Sequence, residues 1–266
     1  MAEVSNDGVK ISYDATGQGR PLILMHGWAS DRCWWPEAGY VDDLQQDYRV
    51  INIDLRGHGQ SDKPHEPSAY RGEAVIGDVL AVADAEGIDR FAMWGLSYGG
   101  WIAWLTANSA PERVAAIVVT GELDPRPGTD DEDWKAFDEG WLEGIRRGGM
   151  PGFVDLLGEE ERDTFLREPP PWARAMFLRQ DPLALLAIQS RDLLGEGVPT
   201  LDGFPVPVLL IAGESVDEEN EAAAIAGMLP NGEALRLPGL GHGGACAASA
   251  LALPTARAFL DRWFGA

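Results

Sequence analysis

The sequence predicts an α/β fold: a mostly parallel central sheet with helices on both faces and an inserted helical cap. Three observations predict it. Continuous apolar runs at 21–25, 114–120 and 206–212 have the composition of strands buried on both faces, and helical spacings separate them. The stretch Gly95-Leu96-Ser97-Tyr98-Gly99 joins an apolar strand pattern directly to an apolar helix pattern. From about 121 to 200 strand signals cease and only helical pieces remain. A core of 1–120 and 201–266, carrying a helical cap of 121–200, follows from this rhythm.

Taken in order, Gly8 to Ala15 alternates apolar and polar residues and reads as an antiparallel strand, with Gly17-Gln18-Gly19 as its turn. Pro21-Leu22-Ile23-Leu24-Met25 is a buried strand that stops at His26-Gly27-Trp28. Residues 34–46 are expected to be helical. Tyr48 to Leu55 is the next strand and closes on a polar, glycine-rich loop, Arg56 to Asp62. Val75, Ile76, Val79, Leu80, Val82 and Ala83 mark a helix over 73–86, which Gly87 ends. Helices are expected at 132–147, 153–167 and 172–194, separated by glycine and proline pairs. The core then resumes with a strand at 206–212, a helix at 218–229, a strand at 234–237 and a last helix at 247–264.

A strand that becomes a helix within one residue needs a strained turn, and glycines at 95 and 99 remove the Cβ atoms that would collide there. Ser97 at the apex is then a candidate nucleophile, placed at the amino end of a helix. A nucleophilic serine needs a base, and in this architecture base and acid follow it in the order Ser, acid, His. Of the four histidines only His242 comes after Ser97, in a glycine-rich loop directly behind a strand. An oxyanion needs donors. The backbone N–H groups of Tyr98 and of Trp28, in the loop after the strand ending at Met25, are the candidates, and His26 is expected to hold that loop by hydrogen bonds.

These segments together resemble the α/β-hydrolase superfamily over essentially the whole chain. The residues that carry the resemblance are His26-Gly27-Trp28, Asp54 to Asp62, Gly95 to Gly100, Pro111-Glu112-Arg113-Val114 and Leu237 to His242. The resemblance implies a Ser97–His242 hydrolase needing no cofactor and no metal, with hydrolysis of a carboxylic ester or thioester as the default reaction. Carbon–carbon bond hydrolysis or perhydrolysis on the same residues is the alternative. A ligand receptor that keeps the fold without turnover is the remote one, and saturable binding without acylation would reveal it. Epoxide hydrolases and haloalkane dehalogenases resemble the chain too, but carry Asp where this chain has Ser97. Relatives place the acid three residues after the glycine ending the penultimate strand. Here that position is Val216, so Asp217, one residue further, is the favoured acid, with Glu214, Glu122 and Asp124 as rivals.

Composition bounds the rest. No apolar run is long enough to span a bilayer, and the first residues lack the basic and apolar regions of a signal peptide, so a cytoplasmic location is expected. Cys33 and Cys246 make no disulfide framework. The acidic run 130–133 is expected to cap a helix rather than bind metal. Six of the ten tryptophans (Trp28, Trp34, Trp35, Trp134, Trp141 and Trp172) fall on the oxyanion loop or the cap, where they either line a pocket for a small apolar substrate or pack the cap on the sheet. The oligomeric state is not legible. With 43 acidic against 21 basic residues the net charge is −22, which excludes nucleic acid and anionic membranes as partners. Salt adaptation and arginine-biased codon usage both account for so acidic a surface. If self-repulsion limits stability, the melting temperature rises with added salt, mostly below a few hundred millimolar, where screening changes most. A flat profile in a salt-dependent melting series would show the charges to be well spaced and solvated.

Overall fold

Eight strands form one sheet in the computed structural model, which describes residues 1–121, 132–159, 163–189, 200–217 and 220–264, the backbone alone for 132–138. They are β1 (Ala2–Asn6), β2 (Val9–Thr16), β3 (Arg20–Met25), β4 (Tyr48–Ile53), β5 (Phe91–Leu96), β6 (Val114–Thr120), β7 (Val208–Gly213) and β8 (Gly232–Leu237). Their order in the sheet is β1-β2-β4-β3-β5-β6-β7-β8. β1 and β2 pair antiparallel, as do β2 and β4, and every pairing from β4 to β8 is parallel. Every residue of β5, β6 and β7 is buried, the physical counterpart of their unbroken apolar runs.

The core helices are α1 (Trp34–Glu37), α2 (Val41–Leu44), α3 (Gly72–Ala85), α4 (Tyr98–Ser109), α9 (Glu221–Met228), α10 (His242–Ala247) and α11 (Ser249–Trp263). Between β6 and β7 the chain inserts α5 (Glu132–Leu157), α6 (Thr164–Arg167), α7 (Pro171–Leu178) and α8 (Pro182–Gln189). This is the cap. α5 is broken at Gly149, where φ is 62°, two residues before Pro151. Among the described residues no helix is long and apolar enough to cross a membrane, and no group of side chains could hold a metal ion.

The structure departs from the sequence reading in places with local causes. The amino-terminus is a hairpin of two strands, not one, turning through Asp7 and Gly8, both at positive φ as two-residue hairpin loops require. The helix expected over 34–46 is two short pieces, interrupted at Gly39 with φ 83°. The helix expected over 153–167 ends early, and Asp163 starts a new one by accepting the N–H groups of Phe165 and Leu166. The last helix is preceded by α10, so His242 opens a helix instead of lying in a loop.

One buried ion pair ties the amino-terminal half together. Arg56, in the loop after β4, donates Nε and Nη2 to the two carboxylate oxygens of Asp78 on α3, both at 2.6 Å. Asn6 of β1 donates to the same carboxylate at 2.9 Å. Both charged side chains are almost fully buried. Removing one member of such a pair strands the other charge, at a cost of about 3–5 kcal/mol. Asp78→Ala is therefore expected to lose stability of that order in urea denaturation; a loss under about 1 kcal/mol would mean that water reaches Arg56.

Candidate active site

Ser97 alone connects β5 to α4, at φ 48° and ψ −116°. An L-residue takes this conformation only where its surroundings force it. The force is close packing. A Cβ at Gly95 would overlap the backbone of Gly99 and stand 2.5 Å from Gly100 N, and one at Gly99 would overlap Met25 O and stand 2.6 Å from His26 O. The Ser97 N–H donates to Thr120 O at the end of β6, 2.7 Å away, and Trp94 Nε1 donates to the Thr120 hydroxyl at 3.1 Å. The elbow is thus held from both neighbouring strands. Tyr98 opens α4, where the backbone amides carry the positive end of the helix dipole.

The loop after β3 packs against the elbow: a Cβ at Gly27 would lie 3.5 Å from Ser97 Cβ, so the Trp28 backbone is adjacent to the serine. His26 fixes this loop. Its Nε2 accepts the Leu55 N–H at 3.1 Å, which leaves the proton on Nδ1 to donate to Gly27 O at 2.8 Å. Complete burial lowers its pKa, so the ring is neutral and serves as a bracket. The far end of the loop is anchored to the cap. Asp31 accepts Arg179 Nε and Nη2, each at 2.7 Å, and Gln180 Nε2 at 3.1 Å. Burial alone would raise the Asp31 carboxyl; the Arg179 guanidinium overcomes it and holds the group down at about 2.

His242 comes to the same place from the other side of the sheet. A Cβ at Gly121 would lie 2.6 Å from His242 Cε1 and 2.9 Å from Nδ1, so only glycine leaves room for the ring. Burial pushes its pKa down, opposed by the nearby Asp163. Asp217 follows a short 3₁₀ turn at the end of β7 and is 2% exposed. Its Oδ1 accepts the Ala222 N–H at 3.2 Å; Oδ2 makes no hydrogen bond among the described residues and lies 3.8 Å from Arg236 Nε. None of the hydrogen bonds among the described residues joins Asp217 to His242. Glu214 is committed elsewhere, accepting Gly239 N–H at 3.0 Å and pairing with Arg236 at 3.2 Å. Glu122 and Asp124 lie outside the described residues.

Ser97 and His242 open into one cleft of about 550 Å³, counting the space that runs out to solvent. Trp28, Trp34, Trp141, Phe153, Leu157 and Phe177 form its walls, and among the described residues no carboxylate or basic chain besides His242 lines it. Trp28 lies parallel to Trp141, with Phe153 edge-on to both at 5.5 Å. The other tryptophans are placed differently. Trp35 is fully buried against Tyr40 and Trp94, away from the cleft, where it packs the core. Trp172 stands behind Trp34, edge-on at 5.2 Å, and is not a wall residue. The Trp134 side chain lies outside the described residues. Both cysteines are free; Cys246 lines the cleft, and burial raises its thiol pKa.

A sheet whose fifth strand ends in a serine at positive φ, opening onto one cleft with a histidine at the head of α10 under a helical cap, defines the class of α/β-hydrolase proteins. The family model described as "alpha/beta hydrolase fold" matches residues 20–244, and the chain belongs to that family. It is 30% identical over 250 residues to the pimeloyl-[acyl-carrier protein] methyl ester esterase of Nitrosomonas europaea, a match covering 87% of this chain and 92% of that protein. It is 32% identical to epoxide hydrolase 4 of Mus musculus over 118 residues, 44% of this chain; the matched part spans about a third (32%) of that relative's length. The esterase structure from Rhodococcus sp. ECU1013 superposes with a TM-score of 0.79 at 28% identity and 98% coverage of both chains.

Asp163, Asp31, Arg179 and Gly121 escaped the sequence reading. Asp163 had a usable signal, since Asp163-Thr164-Phe165-Leu166 has the pattern of a helix start. The site electrostatics make a checkable statement. Histidine-labelled NMR titration should find His242 with a pKa below the usual imidazole value and therefore neutral at pH 7. A pKa at or above that value would mean that the ring is more solvated than its packing implies.

Proposed function

We propose that this protein is a serine hydrolase that cleaves a carboxylic ester or thioester of a small, apolar substrate through an acyl-enzyme on Ser97. The observation that carries the reading is the convergence of Ser97, held at positive φ at the head of α4, and His242 on one apolar cleft. Ser97 Oγ attacks the carbonyl while His242 takes its proton and returns it to the leaving group. The N–H groups of Tyr98 and Trp28 receive the developing oxyanion, which the amino end of α4 favours electrostatically. Water then attacks the acyl-enzyme by the same steps in reverse, restoring the serine.

Asp217 is the proposed acid. It is buried, follows β7 and precedes His242, and its Oδ2 keeps an acceptor without a hydrogen bond among the described residues. It would hold the imidazole in the tautomer that accepts from serine and stabilise the imidazolium. Ser97 in place of aspartate separates the chain from epoxide opening, while the similarity to two esterases agrees with acyl transfer. A cleft whose described lining is apolar, with no charged side chain besides the histidine among the described residues, favours neutral acyl or aromatic groups, since a carboxylate against those walls would lose its hydration without a partner.

A panel of esters and thioesters of varied acyl length, run with a diketone and with peroxide plus carboxylate as controls, tests the reaction. Turnover is expected on apolar esters, with lower kcat/KM for charged acyl groups of equal size. Ser97→Ala should lose several orders of magnitude in kcat, and a fluorophosphonate should label Ser97 alone. Asp217→Asn should lose up to about 10⁴-fold, with KM little changed. Glu214→Gln, Glu122→Gln and Asp124→Asn should stay within about tenfold, the equivalent of 1.4 kcal/mol. Label on another residue, or an active Ser97→Ala, would overturn the nucleophile. A silent Asp217→Asn with a crippled Asp124→Asn or Glu122→Gln would move the acid to the end of β6.

A further inference from the structure

The helix that carries His242 is held from outside itself. α10 has six residues, too few to be stable alone, and each end needs partners for its unpaired backbone groups. At the carboxyl end, Cys246 O accepts Trp34 Nε1 and the Tyr40 hydroxyl, both at 3.2 Å. At the amino end the cap residue is Gly241, which has no side chain to offer. The missing acceptor comes from the cap: Asp163 Oδ2 takes the Gly243 N–H at 2.5 Å. Its Oδ1 accepts Phe165 N–H at 3.0 Å and Leu166 N–H at 3.3 Å, so one carboxylate caps α6 and α10 together. Asp163 is 2% exposed, and a Cβ at Gly241 would stand 2.6 Å from its carboxylate carbon.

We infer that Asp163 is a positioning residue for His242: through the Gly243 amide it fixes the first turn of α10, and its charge, supplied by the cap, accompanies the imidazole. The inference rests on the reading of His242 as the base. Asp163 is the one charged group among the described residues that acts on His242 against its burial. Apart from Asp217, the proposed acid, which makes no hydrogen bond to His242 among the described residues, the charged groups on the elements packed against α10 are engaged elsewhere. On α6 and just after it, Arg167 pairs with Glu168 at 3.7 Å; at the end of β7, Glu214 pairs with Arg236, which also faces Asp217. On α10 itself the buried Cys246 thiol stays protonated, its pKa pushed well up.

The test separates placement of the base from capping of α6. Asp163→Ser keeps a good cap for α6 but removes the charge and the reach to Gly243. Asp163→Asn keeps the shape and removes the charge. Both variants are expected to lower kcat about tenfold with KM within about twofold, and to move the acid limb of kcat/KM to lower pH, because the imidazole loses the anion that favours its protonated form. His242 titrated by NMR in each variant should shift the same way, with or without turnover. In the unmodified enzyme the Gly243 amide should be slow to exchange and shifted downfield. Wild-type kcat and an unmoved His242 titration in either folded variant would overturn the inference and leave Asp163 as a cap for α6 alone. A rapidly exchanging Gly243 amide in the unmodified enzyme would overturn it even if neither variant folds. Absence of fluorophosphonate label on Ser97 would instead sink the hydrolase reading, and the two NMR readouts would still decide the role of Asp163.

Discussion

Everything at the site depends on the one-residue turn at Ser97. A parallel strand buried on both faces must pass into a helix that lies directly on it, and the chain has a single residue in which to do so. The positive φ at Ser97 is the result, and the glycines on either side remove the atoms that would prevent it. The strain is small beside the burial of β5, every residue of which is enclosed. The core around the turn therefore holds the hydroxyl at the sheet edge. The same closeness brings the end of β3 against α4, so the backbone of Gly27 and Trp28 adjoins the serine without any side chain being recruited for the purpose.

Carboxylates in dry surroundings do the remaining positioning. Asp31, on the core, grips Arg179 and Gln180 of the cap; Asp163, on the cap, grips Gly243 of the core. The two contacts run in opposite directions between core and cap, one holding the loop after β3 and one the helix that carries His242. A cap joined by apolar packing alone could slide, because dispersion and burial have little directionality. Charge-assisted hydrogen bonds do not tolerate sliding. The cap is thereby a structural partner of the groups on both sides of the cleft as well as its roof.

The aromatic residues divide by the same logic. Trp35, Tyr40 and Trp94 fill the space beside the elbow strand, where an apolar body of that size is needed and nothing has to be recognised. Trp28, Trp34 and Trp141 belong to the surface that faces Ser97. Trp34 does both, since its indole N–H holds Cys246 O while its ring walls the cleft.

The sequence by itself determined the fold class, the strand-to-helix elbow and the candidacy of Ser97 and His242. These follow from local requirements: apolar runs for doubly covered strands, glycines where backbones meet, and chain order for the histidine. It also carried the cap as a loss of strand rhythm with a break at the glycine and proline pairs of 148–152, without the end of α5 at Leu157 or the new helix that Asp163 starts. Only the tertiary structure decided what is long-range. That Trp35 is core and Trp34 is wall depends on which face of a four-residue helix meets β5, and adjacent tryptophans look alike in sequence. The placement of His242 on Gly121, the capping of α10 by Asp163 and the meeting of Asp217 with Arg236 join residues from 19 to 121 positions apart. No periodicity records such pairs, because a buried carboxylate and a solvated one have the same letter, and only the packing around them distinguishes the two.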